Sequence, residues 1–263
     1  MYFLYMVLML VLIALAHAGA FYFLFGRTIT YREALRINCA AIALNKIFFS
    51  GTGFVMAGSL AKNKNISWQK VLGVFLVLEG LSVIPWLIAG CFFGITFAAV
   101  NAYIVLAVIL FGLLFIWIKR EKFRKVLFDM RVHAGQIGKN IVYALPCIIL
   151  EMFLFFCYYV FLFQGYALNI TGFNIFKIVA VSFSAGYLSP APSGLGFKDA
   201  ALAGLLLLQG VAAGKAAMIM AFDRLIIMVF WLAMGFIAAG DLLYAVWCKK
   251  FAKNIQDKKE LAG

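Results

Sequence analysis

The chain has 263 residues, 66% of them hydrophobic and 13% charged, with a mean hydropathy of +1.04. Soluble domains are about half apolar, so a water-soluble globular fold is excluded and a single integrated polytopic membrane domain is expected. The formal charge of +13 does not point to nucleic acid, because the basic residues gather in short tracts beside apolar segments, as cytoplasmic loops facing anionic lipid headgroups do.

Residues 1–25 form one apolar run, long enough to cross a bilayer core that needs about 20 helical residues. The run lacks a basic n-region and a small-residue cleavage signal, so it reads as a first transmembrane helix and not a signal peptide. The next loop, 26–36, carries Arg27, Arg32 and Arg36 against Glu33. The apolar segment 37–60 is interrupted by Lys46 and by Ser50-Gly51-Thr52-Gly53, and the loop after it is again basic, with Lys62, Lys64 and Lys70. If both flanking loops are cytoplasmic, the segment must enter and return, as a hairpin with its turn at Ser50 to Gly53.

A span over 71–93 carries Glu79 and Pro85, an uncharged outer loop covers 94–102, and a short span is expected over 103–118. Residues 119–139 hold seven Lys or Arg and read as a cytoplasmic loop. Residues 140–163 span outward with Pro146 and Glu151 inside. Segment 175–209 is broken by Ser189-Pro190-Ala191-Pro192-Ser193-Gly194-Leu195-Gly196-Phe197-Lys198-Asp199, and 216–247 spans inward with Asp223, Arg224 and Asp241. The tail 248–263 is basic, frayed and cytoplasmic. The loops assigned to the cytoplasm hold 18 of the 23 Lys and Arg, and those assigned outside hold only Lys215. The N-terminus is then outside and the C-terminus inside, which fits a plasma membrane protein and makes 175–209 a second hairpin.

Ser50-Gly51-Thr52-Gly53-Phe54 and Ser193-Gly194-Leu195-Gly196-Phe197 match at four of five positions, 143 residues apart. Glu79 follows the first turn and Asp223 the second at nearly equal spacing. The expected fold is an all-α polytopic membrane protein with five full spans and two helical hairpins. It is an inverted repeat of span, re-entrant hairpin and span: repeat 1 over 1–93, a linking helix over 103–118 and repeat 2 over 140–247. Broken helices meeting near the midplane are typical of transporters; the glycines would equally serve close helix crossing.

A half-helix that starts after the glycines leaves amides and partial positive charge at its N-terminus, which with Lys198 suits an anionic headgroup. Asp223 and Arg224 point about 100° apart on a helix, so each needs a partner elsewhere. Lys198, Asp199, Glu79 and Glu151 are available, and Lys46 either reaches the same cluster or snorkels. The expected headgroup site is therefore Gly194, Gly196, Lys198, Asp199, Arg224, Ser50, Gly51 and Gly53, beside an intramembrane charge cluster of Lys46, Glu79, Glu151 and Asp223. Desolvation favours protonated carboxyls, so proton coupling at Glu79, Glu151 or Asp223 stays open, as does a purely structural ion pair. The five cysteines are scattered without C-x-x-C spacing, and neither His17 nor His133 joins them, so no metal or cofactor is expected. No catalytic motif is present.

Pro192, Gly194, Gly196, Lys198, Asp199 and Leu202, with Arg224 further on, resemble the second signature of the lysylphosphatidylglycerol synthase transmembrane region, a flippase-like family of integral membrane proteins. Asn45 and the Ser50 to Gly53 turn resemble its first signature without the usual proline and acid, and Glu79 fits the following Glu. The resemblance implies a lipid-handling domain that translocates an anionic or aminoacylated lipid. The alternative it implies is a membrane subunit presenting phosphatidylglycerol or a polyprenyl phosphate to a separate transferase. With only 16 residues after the last span, lysyl transfer is not expected of this chain by itself.

Overall fold

A computed structural model describes residues 1–47, 68–95, 120–189 and 196–260. The described residues form seven helices and no strand: α1 (Tyr2–Leu24), α2 (Tyr31–Ile47), α3 (Trp68–Ile95), α4 (Arg120–Gly165), α5 (Gly172–Tyr187), α6 (Phe197–Leu208) and α7 (Ala213–Glu260). Four stretches are long and apolar enough to cross a membrane: Tyr2–Leu24, Gly73–Gly94, Ile137–Gly165 and Ala213–Ala238. The protein is a helical membrane protein. The span expected over 103–118 and the turn at Ser50 to Gly53 lie outside the described residues.

Two stretches expected as irregular are helical. Residues 120–139 continue directly into α4, giving a 46-residue helix, and the tail prolongs α7 to Glu260, for 48 residues. Both are rich in Lys or Arg, which form helix well, and contain no proline. Basic composition marks a side of the membrane and does not by itself interrupt a helix.

The α1–α2 connection shows why the chain turns where it does. Gly26 and Arg27 adopt φ of 65° and 61°, closing α1 with a left-handed reversal. Thr30 and Glu33 then form a capping box: the Thr30 amide donates to Glu33 Oε2 at 2.8 Å, and the Glu33 amide to Thr30 Oγ1 at 3.3 Å. That box starts α2 at Tyr31, six residues before the apolar run begins.

α1 lies antiparallel along α4. Tyr2 meets Gly165, Gly19 faces Cys147 and Gly26 faces Asn140, while Tyr5 stacks on Phe161 with ring centroids 5.2 Å apart. α3 crosses α5 in the same antiparallel sense, with Trp86 on Phe183 and Phe93 on Phe173; α2 packs on α7. Lipid chains are as apolar as the side chains, so these contacts rest on close fit and hydrogen bonds. Gly90 supplies that fit on α3: a Cβ there would overlap the Ser184 hydroxyl and stand 2.7 Å from the Ala180 carbonyl. Ser184 Oγ donates across the crossing to the Trp86 carbonyl at 2.7 Å. Gly235 of α7 meets Ala43 of α2 in the same manner.

The buried side chains form two apolar clusters stacked along the bundle. One joins Met6, Leu10 and Ile13 of α1 to Tyr158 and Leu162 of α4 and to α5, α6 and α7. The other joins Phe21 and Leu24 to Val74 and Leu78 of α3, and to Ala144 and Ile148 of α4. His17, Glu79 and Glu151 fall in sequence between the two clusters on their helices, as a polar layer. Exposed Ile84, Ile88 and Phe92 on α3, and Leu225, Val229 and Phe236 on α7, form apolar faces suited to lipid.

Candidate functional site

The site is built at the break between α5 and α6. α5 begins behind Thr171, whose hydroxyl accepts the Asn174 amide at 3.4 Å. α6 ends at Leu208, and Asn174 Nδ2 donates to Gln209 Oε1 at 3.2 Å, so the two ends of this pair of helices return to one level. The two helices also pack on each other. With a rise of about 1.5 Å per residue, the 12 residues of α6 are about 18 Å long, short of the roughly 30 Å thickness of a bilayer core.

α6 starts from Gly196, whose φ of 84° lies in the region L side chains disfavour. A Cβ there would meet nothing within 4 Å, so conformation and not space calls for glycine. The Gly196 amide donates to Asp199 Oδ2 at 3.2 Å. An acid in the first turn also complements the helix dipole. The N-terminus expected to await an anion thus already carries a carboxylate.

Four charged side chains from two adjacent dipeptides then interlock. Lys198 Nζ donates to Asp223 Oδ2 at 3.3 Å, and Arg224 Nη1 lies 3.8 Å from Asp199 Oδ2. Neighbours in sequence do not pair with one another; each pairs across from α6 to α7, as the 100° separation requires. Asp223 is fully buried and also accepts from the Tyr159 hydroxyl at 3.2 Å. The Lys198 ammonium sits 4.9 Å from the Phe183 ring centroid and 5.6 Å from that of Tyr159, so aromatic faces take up part of its charge. The pairing is incomplete: Asp199 Oδ1, Asp223 Oδ1 and Arg224 Nε are buried with no hydrogen-bond partner among the described residues. Lys46, in the last turn of α2, lies within electrostatic range of all four charges.

Glu151 does not join this quartet. Its Oε2 lies 2.9 Å from His17 Nδ1 of α1, and both residues are buried. Glu79 stands within electrostatic range of His17, Glu151 and Lys46 but is itself exposed. The single expected cluster is therefore two groups, a Lys198–Asp223–Asp199–Arg224 quartet and a His17–Glu151 pair with Glu79 beside it; Lys46 is within range of the quartet and of Glu79. Of the expected headgroup residues, Gly194, Ser50, Gly51 and Gly53 lie outside the described residues. Gly196, Lys198, Asp199 and Arg224 come together.

Sequence reasoning missed His17 and Tyr159. A histidine inside a first apolar span is itself a signal, since ionisable groups at that depth are costly. Tyr159 carried none: it is one of 11 tyrosines, and only the fold turns it toward Asp223. Family models, curated proteins and solved structures were all compared with the chain, and none matches.

Proposed function

We propose that the protein handles lipids at the tip of the α5–α6 hairpin and translocates an anionic lipid headgroup between leaflets. The carrying observation is the Arg224 guanidinium, buried for the most part, 3.8 Å from its nearest carboxylate and with Nε unpartnered among the described residues. A cation held that loosely keeps donors for a phosphate, which guanidinium engages in bidentate fashion. A phosphate beside Arg224 would take its free donors and leave Asp199 to the Gly196 amide. Lys198 and Arg224 balance Asp199 and Asp223 in formal charge, and Lys46 makes the surroundings of the tip net positive.

The inverted repeat supports the same reading. An axis relating α1 to α4, α2 to α5 and α3 to α7 would pair α1 with α4, and make the α2–α7 and α3–α5 crossings equivalent. Those are the three most extensive helix contacts between the two halves, and Gly90 and Gly235 mark the two crossings. The matched glycine turns of the sequence, and its resemblance to the flippase-like family, point the same way. On this reading a fifth span covers 103–118, the protein lies in the plasma membrane, and the N-terminus is outside and the C-terminus cytoplasmic.

The test is translocation in reconstituted vesicles, with labelled phosphatidylglycerol in one arm and a polyprenyl phosphate in the other. The lipid that is moved faster identifies the headgroup class. Arg224→Ala removes hydrogen bonds to a charged partner worth about 1.5–3 kcal/mol, so a loss of about ten-fold or more is expected. No translocation of either lipid by the wild type refutes this function. Lipid modification only on adding a soluble transferase would replace translocation with presentation of the acceptor lipid.

A further inference from the structure

We infer that His17 and Glu151 form an intramembrane proton-binding pair that controls how the two halves of the bundle are held together. The pair joins α1 to α4, the two helices with the most extensive mutual contact. His17 Nδ1 and Glu151 Oε2 are 2.9 Å apart, and the side chains are 9% and 10% exposed. An ionisable pair at this depth is costly to keep for packing alone, and the quartet at the hairpin tip makes no use of it.

The surroundings decide what the pair can do. Cys147 of α4 and Tyr31 of α2 approach Gly19 of α1, two residues from His17, and Tyr31 donates its hydroxyl to the Leu15 carbonyl at 2.8 Å. Cys39 of α2 is buried nearby. Tyr187 of α5 lies within range of both Glu151 and Glu79, and Lys46 of α2 within range of Glu79. Asp223 and Arg224 of α7 are engaged with α6. Among the described residues, Glu79 is the further carboxylate within range of both members of the pair, enclosed on several sides yet exposed. An exposed carboxylate on a transmembrane helix belongs at a wet opening, not against lipid chains, so Glu79 gives the buried pair its route to water.

The proton count gives the mechanism. In the resting state the pair shares one proton between the imidazole and the carboxylate, and the attraction ties α1 to α4. When a second proton reaches Glu151 by way of Glu79, the carboxyl becomes neutral and the imidazolium loses its counter-charge. Once Glu79 has passed its proton on, it is the remaining carboxylate for His17, and the attraction moves from α4 to α3. In the inverted-repeat reading, α1 and α3 belong to one half and α4 to the other, so protonation loosens the contact between halves. The proton site stands without the lipid reading; its use to drive translocation rests on that reading.

The experiment has two arms. The first needs no transport: the protein in lipid nanodiscs, labelled with nitrogen-15 histidine, is titrated by NMR, and the protonated-carboxyl infrared band is followed in parallel. His17 and His133 are the two histidines of the chain, so His17→Asn assigns the signals. A carboxyl band that grows as pH falls, is absent in Glu151→Gln and moves in His17→Asn is the expected result. A wild-type His17 signal and carboxyl band that do not change with pH overturn the proposal, whether or not the variants fold. The second arm imposes a pH gradient on the vesicles used for translocation. The gradient is expected to change the wild-type rate about ten-fold, in the range of ordinary coupling, and Glu151→Gln to abolish that dependence. A wild-type rate indifferent to the gradient refutes the coupling. A pair that titrates in a protein that moves no lipid refutes the lipid reading alone.

Discussion

Asp223 is fully buried and takes two hydrogen bonds through one oxygen, from Lys198 and Tyr159. Removing the carboxylate leaves the Lys198 ammonium enclosed by the Phe183 and Tyr159 rings with no counter-charge. Asp223→Ala is therefore expected to destabilise the folded protein by about 3–5 kcal/mol. Replacing both partners with apolar residues of similar volume, Lys198→Met with Asp223→Leu, is expected to be much milder, because no charge is left behind. Thermal unfolding in detergent of Lys198→Met, Asp223→Leu and the double variant closes the cycle. A double variant as unstable as the sum of the singles would show that the two charges do not interact. At this scale the sequence was informative about which residues carry charge into the membrane, and the angular argument at Asp223 and Arg224 excluded their pairing together. It could not rank partners: Glu151, open to either group from its position, is taken by His17 because α1 lies along α4.

Helix crossings are set by the smallest residues on each face. Gly90 lets α3 approach α5 until Ser184 bonds the Trp86 carbonyl, which also adds a polar tie where lipid offers no hydrophobic drive. Gly90→Ala places a methyl against the Ser184 hydroxyl and the Ala180 carbonyl, and the helices must separate; a loss of about 1–3 kcal/mol is expected. Gly204, inside α6, has nothing within 4 Å of a new Cβ, so Gly204→Ala is expected to gain about 0.5–1 kcal/mol from backbone entropy. Unfolding midpoints of the two variants, moving in opposite directions, check the pair. The same midpoint shift for both would mean that the α3–α5 approach is not limiting. Elements were legible where apolar runs exceed a helix's needs, as in α1, α3 and the second half of α4. They were not legible where charged helix formers prolong a span, as at 120–139, since hydropathy reports depth in the membrane and not helicity. The division of 175–209 into two helices, α5 and α6, was readable because prolines, glycines and a charge pair break an apolar run.

Across the whole molecule, the antiparallel run of α1 along α4 fixes which loops share a side. Tyr2 meets Gly165 at one end, and Gly26 meets Asn140 at the other, so the connection at 166–171 lies opposite the one at 25–30. Arg27 belongs to the second end, and so does Lys139, beside Asn140 at the head of the apolar part of α4. Lys and Arg are retained on the cytoplasmic side, so the proposed orientation puts Asn169 outside and Thr28 inside. Both residues are exposed. In a variant with the five native cysteines replaced, Asn169→Cys is expected to react with a membrane-impermeant maleimide in intact cells. Thr28→Cys is expected to react only after permeabilisation. The two possible failures mean different things. Exchange of the two labelling patterns would invert the orientation and leave the fold intact, because the packing of α1 on α4 is unchanged by turning the bundle over. Labelling of both sites from one side would contradict that packing itself, since α1 would then not separate the two loops.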